Sequence, residues 1–156
     1  MRPPIWFVDT SILCNILEIP ERDQERARVL DELGRRRSLD ESLILPSAVV
    51  VETGNHIAQV KSGFHRRDTA IRFAKMLELV AEGKAPWSLN SSAWDGDFLR
   101  KLVDGGATGL GLVDHAVQGL GCGDLSILVE REIYRERTGL ADVRIWTLDQ
   151  TLGAHS

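Results

Sequence analysis

The chain has 156 residues, a net charge of −4, 43% hydrophobic and 27% charged residues. That is one ordinary domain, residues 1–156, long enough to bury a core, and the balance excludes disordered, collagenous and fibrous classes. The longest apolar runs, such as Leu43-Ile44-Leu45 and Ala48-Val49-Val50-Val51, fall far below the roughly 20 residues of a membrane span, so no membrane role is expected.

The opening residues lack the apolar stretch of a secretory signal. Cys14 and Cys122 are too few for a disulfide framework or a zinc knuckle. A reducing, cytoplasmic setting is the expectation. The acidic balance argues mildly against a passive nucleic-acid binder, which usually carries a strongly basic surface, but not against an enzyme that gathers carboxylates around cations.

Ile5-Trp6-Phe7-Val8 is a short apolar run that stops at Asp9-Thr10-Ser11. It reads as a buried strand feeding a helix over residues 12–19, stopped by Pro20. A second helix is expected over 22–36. Leu43-Ile44-Leu45 reads as the second strand, and Pro46-Ser47 opens a helix through Glu52 to about residue 60. Residues 64–82 form a long amphipathic pattern, with Ile71, Ala74, Leu77 and Val80 on one side and Gly83 closing it. Trp87-Ser88-Leu89 is a short third strand, and Asn90-Ser91-Ser92 caps a helix to about residue 103. The stretch 105–123 is rich in glycine and gives no clear pattern. Gly123-Asp124 introduces a helix ended by Gly139, and residues 143–147 are the last strand, breaking at Asp149. Strands alternating with helices indicate an α/β domain with a buried parallel sheet.

Ligands bind beyond the carboxyl ends of strands in such sheets. Asp9 follows the first strand and Asp149 the last, Glu52 lies in the second turn after the second strand, and Asp124 opens a late helix. The four converge on one rim if the first, second and last strands lie side by side. Clustered carboxylates raise one another's pKa values unless a cation is present, and hard oxygen ligands suit Mg²⁺ or Mn²⁺. Each acid has a plainer reading: Asp9 and Asp124 as helix caps, Asp149 as a turn residue, Glu52 as a solvated helix residue. Only their coincidence argues for a site.

Ile5 to Leu13, with its Asp9-Thr10-Ser11, resembles the opening strand and first motif of PIN domains. Leu45-Pro46-Ser47 through Glu52 is similar to their second motif, Gly123-Asp124-Leu125-Ser126 to their third, and Thr147-Leu148-Asp149 to the closing one. The resemblance spans nearly the whole chain in the correct order. It implies a three-layer, Rossmann-like α/β/α sandwich with parallel sheet order 3-2-1-4-5 and Mg²⁺- or Mn²⁺-dependent endoribonuclease activity. Size and architecture look most like a VapC-type toxin of a toxin–antitoxin pair, which implies a small inhibitory antitoxin and a homodimer. By position, Asp9, Glu52, Asp124 and Asp149 are the metal-binding acids. Thr10, Ser11 and Thr147 are supporting polar residues. Asp114 is a rival for the third acid, and the segment between Asp124 and Asp149 is longer than compact toxins usually have.

Lys61, Arg66, Arg67 and Arg72 belong to a basic cluster that reads either as an RNA-phosphate contact or as a solvated helix face. His56, four residues after Glu52, shares its helix face and reads first as a structural histidine. Trp87 and Trp94 read as core before they read as base-stacking residues. A non-cleaving PIN-like module that binds RNA or protein is the alternative. A phosphohydrolase with an Asp nucleophile needs a second Asp two residues on, where this chain has Ser11.

Overall fold

A computed structural model describes residues 2–156. Four parallel strands, β1 (Ile5–Val8), β2 (Ser42–Leu45), β3 (Trp87–Leu89) and β4 (Val143–Trp146), form one sheet in the order β3-β2-β1-β4. Phe7 and Val8 are consecutive and both fully buried. Successive strand residues point to opposite faces, so both faces of the sheet are covered, consistent with a three-layer α/β/α arrangement.

The expected five-stranded order 3-2-1-4-5 is corrected to four strands in the order 3-2-1-4 among the described residues. The physical reason lies in the two stretches left over. Between residues 105 and 121 the backbone turns left-handed at Gly105, Gly106, Ala107, Gly109 and Gly119, which no extended strand tolerates in series. After β4, Asp149 caps a short helix and turns the chain away from the sheet.

The described residues form eight helices: α1 (Thr10–Ile16), α2 (Arg26–Ser38), α3 (Ser47–Ala58), α4 (Gly63–Ala81), α5 (Gly96–Asp104), α6 (Leu112–Val117), α7 (Cys122–Thr138) and α8 (Gln150–Gly153). Two expected helix starts move by several residues, and one buried face shifts. The second helix begins at Arg26 rather than Arg22, because Glu18 and Glu21 adopt left-handed backbone and Asn15 Oδ1 accepts the Glu25 N–H at 2.9 Å. The cap of α5 is Asp95, whose carboxylate accepts from Phe98 N–H, and not the Asn90-Ser91-Ser92 run. On α4 the buried positions are Thr69 and Met76, with Phe73 and Val80 packed beside them; Ile71 and Ala74 are exposed. Of the expected stripe, Leu77 and Val80 pack against the core while Ile71 and Ala74 do not, so the buried face is only partly the expected one.

The centre of the molecule is α7. Residues 125–131 are all buried, as in a helix enclosed on every side, and it packs on α3, α5, α6 and β4. Glu130, fully buried on it, accepts from Asn90 Nδ2 at 3.3 Å, which ties α7 to the end of β3. Burial raises the Glu130 pKa.

Against one face of the sheet, Arg36 is buried with its guanidinium 3.7 Å from the centre of the Trp6 ring and 4.7 Å from that of Trp146. It also pairs with Glu41 at 3.2 Å and Glu32 at 3.5 Å. Removing one partner of a buried ion pair leaves the other charge uncompensated. Arg36→Ala is expected to cost about 3 kcal/mol of stability, read as a lower urea midpoint at unchanged slope. A midpoint within experimental error of the parent would show that the stack contributes nothing.

Candidate active site

Strand order decides the site. With β1 flanked by β2 and β4, the segments leaving these three carboxyl ends meet on one rim, and Asp9 N–H donates to the Trp146 carbonyl at 3.0 Å. There Asp9, Glu52, Asp124 and Asp149 line a single cleft of about 630 Å³, together with Thr10, Ser11 and His56. Asp114 stands exposed on α6, away from this cleft.

Asp9 is 3% exposed, and its two oxygens live in different surroundings. Oδ2 accepts from the Ser11 hydroxyl at 2.8 Å and the Thr147 hydroxyl at 2.7 Å. Oδ1 is buried with no hydrogen-bond partner. A buried carboxylate oxygen left unpaired is costly, and natural structures rarely keep one without a use. Ser11 Oγ also accepts from Leu148 N–H at 3.0 Å, and Thr147 Oγ1 from Asp149 N–H at 2.9 Å. The two hydroxyls therefore lock the β1 and β4 ends together while orienting one carboxylate.

Glu52 is held by the Thr10 hydroxyl, which donates to Oε2 at 2.8 Å. Its Oε1 rests against Gly123 so closely that a β-carbon there would overlap it. Asp124, in the first turn of α7, has its pKa pushed up to about 7. Burial is the main cause, and the negative charges of Asp9, Glu52 and Asp149 add to it. Asp149 caps α8, its Oδ1 accepting from Thr151 and Leu152 N–H. The cap and turn readings of Asp9 and Asp149 are thus true as well, and each leaves one carboxylate oxygen outside the capping hydrogen bonds.

The donor set fits a hard divalent cation: four carboxylates, one of them with a buried oxygen lacking any partner, and one holding its proton near neutrality because it is buried beside other acids. Among the described residues no three acidic, histidine or cysteine side chains close to the spacing of a finished ion cage. The acids share a cleft and stand apart within it.

Gly123 offers a test of this packing. Gly123→Ala favours the α7 helix by propensity but obliges the Glu52 carboxylate to move off the Thr10 hydroxyl. The expected result is a melting temperature close to the parent's and activity at least about tenfold lower, because displaced metal-site partners typically cost 10–100-fold. Undiminished activity would mean that Glu52 need not be held there.

The basic residues separate. Lys61 lines a second, smaller cleft that adjoins the first. Arg66 donates to the Val60 carbonyl at 3.0 Å, and Arg67 stands exposed on the outer side of α4. Arg72 donates to the carbonyls of Leu17 at 2.9 Å and Glu18 at 3.2 Å, anchoring the loop after α1. Trp87 is core, whereas Trp94 is half exposed and stacks on Phe98. Burial and the Arg22 charge lower the His56 pKa, and its Nδ1 is buried without a partner. Burial pushes the Cys14 thiol up to about 11, which makes it unreactive.

Arg22 and Asn15 also line the acidic cleft. Neither was singled out from sequence: Arg22 sat inside an expected helix, and nothing local marks it. No helix among the described residues is long and apolar enough to cross a membrane. A scan of protein-family models gives no match and a search of curated proteins gives no significant one, so the functional reading rests on the motifs and on the geometry of this cleft.

Proposed function

We propose that this protein is a Mg²⁺- or Mn²⁺-dependent endoribonuclease of the PIN type. The observation that carries the reading is the buried, unpartnered Oδ1 of Asp9 on a cleft shared with Glu52, Asp124 and Asp149. These four acids would hold the cation. When bound, such a cation polarises a phosphate oxygen and lowers the pKa of water, the two requirements of phosphodiester hydrolysis.

The chain's own residues supply position. Ser11 and Thr147 hold Asp9 Oδ2, which leaves Oδ1 as the oxygen free of hydrogen bonds and able to serve as a ligand. Thr10 holds Glu52 Oε2, and the bare Cα of Gly123 makes room for Oε1. Asp124 is carried on the most enclosed helix of the fold, so its position relative to β4 and α3 varies little.

The toxin reading rests on the resemblance and on the small size of the domain. Exposed apolar side chains support it as surfaces for an antitoxin or a second copy: Phe64 and Ile71 on α4, and Leu99, Val103, Val113 and Val117 on α5 and α6.

Incubating the purified protein with a mixed RNA pool in Mg²⁺, in Mn²⁺ and in EDTA tests the proposal. Cleavage that requires metal is the expected result. Protein free of any inhibitory partner that stays inert with both ions, on structured and single-stranded RNA alike, would overturn the nuclease reading in favour of a binding module.

A further inference from the structure

Two clefts meet at one arginine. The acidic cleft and the second one, of about 290 Å³, have Glu21, Arg22, His56 and Gln59 in common, and the second continues to Lys61, Ser62 and His65. Among the described residues lining the acidic cleft, Arg22 is the one Lys or Arg. Among the described residues it makes no ion pair and no side-chain hydrogen bond, although Glu21 and Glu25 lie on the same cleft.

The loop that presents Arg22 is held along its length. Arg72 grips the carbonyls of Leu17 and Glu18. Ile19 N–H donates to the Cys14 carbonyl at 3.0 Å, Arg22 N–H to the Ile19 carbonyl at 2.9 Å, and Glu25 N–H to Asn15 Oδ1 at 2.9 Å. Left-handed backbone at Glu18 and Glu21 completes the turn. A free guanidinium on a fastened loop, beside a cleft suited to a phosphate and its cation, is a prearranged anion contact.

We propose that the second cleft is the subsite for the nucleotide adjoining the scissile phosphate of a single RNA strand, with Arg22 binding the neighbouring backbone phosphate and Lys61 the next one along. The proposal rests on the nuclease reading for the identity of the strand. The cleft's volume is that of the smallest ligand pockets, roughly 300 Å³, which suits a single nucleotide and not a duplex. Arg72, in this arrangement, is a positioning residue that acts through the loop.

Binding is read by fluorescence anisotropy with an end-labelled single-stranded RNA oligonucleotide and Mg²⁺, in an Asp9→Asn background that prevents cleavage. Arg22→Ala and Lys61→Ala are compared with Arg37→Ala, which removes an exposed charge near the start of β2, at the opposite end of the sheet. Arg22→Ala is expected to weaken binding about tenfold, as loss of a charge-assisted contact does. It should also flatten the plot of log K against log salt by about 0.7, the share of one phosphate contact on a single strand. Arg22→Lys should keep the slope, and Arg37→Ala should change neither. In the active parent, Arg22→Ala should raise KM more than it lowers kcat.

Equal affinity and slope for Arg22→Ala and Arg37→Ala, with melting temperatures unchanged, would overturn the subsite. Arg22-dependent binding without cleavage by the parent would instead sink the nuclease reading and keep the subsite. Absence of RNA binding in every variant and in the parent would remove both.

Discussion

Asp9→Asn is expected to abolish the proposed metal-dependent RNA cleavage, lowering kcat by at least about 10²–10³-fold, with the fold retained. The magnitude follows from what the substitution does to polarity at one point. Ser11 and Thr147 both donate to Asp9 Oδ2. An asparagine satisfies them only by turning its carbonyl oxygen toward the hydroxyls. Its NH₂ group then occupies the position of Oδ1, the buried atom that has no partner. A donor stands where a cation needs an acceptor, and one of the four negative charges is gone. Cleavage assays with purified parent and variant in Mg²⁺ and Mn²⁺ read the effect, and thermal denaturation of both checks the fold. A correctly folded variant that retains a tenth or more of the parent activity would exclude Asp9 from the reacting centre.

Metal-free protein is expected to lose stability as the pH rises, and divalent cation to restore it. The Asp124 pKa in the folded state is about 7, against an ordinary value of 3.8, because it is buried beside three other acids. Between these two values the folded chain binds a proton that the unfolded chain has released. Stability therefore falls as pH climbs from about 4 to about 7 and levels off above. After allowance for solvent screening the span is of order 2 kcal/mol, or about 4–8 °C in melting temperature for a domain of this size. Asp124→Asn should abolish most of that slope and stabilise the protein in EDTA at pH 8. Mn²⁺ at about 100 times its Kd should add about 2.7 kcal/mol to the parent, with less gained at pH 5, where protons compete for the same oxygens. Melting curves from pH 4.5 to 8.5, in EDTA and in Mn²⁺, decide the matter. An EDTA slope of the same size in parent and Asp124→Asn would show that another group is responsible.

The two effects share one cause, a concentration of negative charge that the protein alone does not neutralise. Ser11, Thr147 and Thr10 are spent on orientation, and they donate hydrogen bonds without supplying charge. Arg22, the one Lys or Arg among the described residues lining the cleft, makes no ion pair with these acids. Were the acids purely structural, the cheapest repair would be an amide at any one position. The chain keeps all four carboxylates.

Local sequence determined the strands and the acids at their ends. Ile5 to Val8 is apolar and β-branched in part, it stops at an Asp that caps the next helix, and strand and cap both follow from those neighbours alone. The same holds for β2 before Pro46, and for β4 before Thr147. The hydroxyls that orient the acids were legible too, since Thr10 and Ser11 adjoin Asp9 and Thr147 lies two residues before Asp149.

Tertiary structure decided everything that depends on residues meeting from afar. Strand count followed from left-handed backbone in the glycine-rich stretch, which hydropathy does not register. The buried face of α4 is only partly the expected one because it packs on α3 and β3, and the period of a helix does not say which side its neighbours will occupy. Arg72 reads as a surface cation until the carbonyls of Leu17 and Glu18 are found beside it, 55 and 54 residues away in sequence. Arg22 gains its place on the cleft from a loop closed by Asn15 and Arg72. Motifs record what a residue does with its near neighbours, whereas partners, fields and clefts are set by chain segments that only folding brings together.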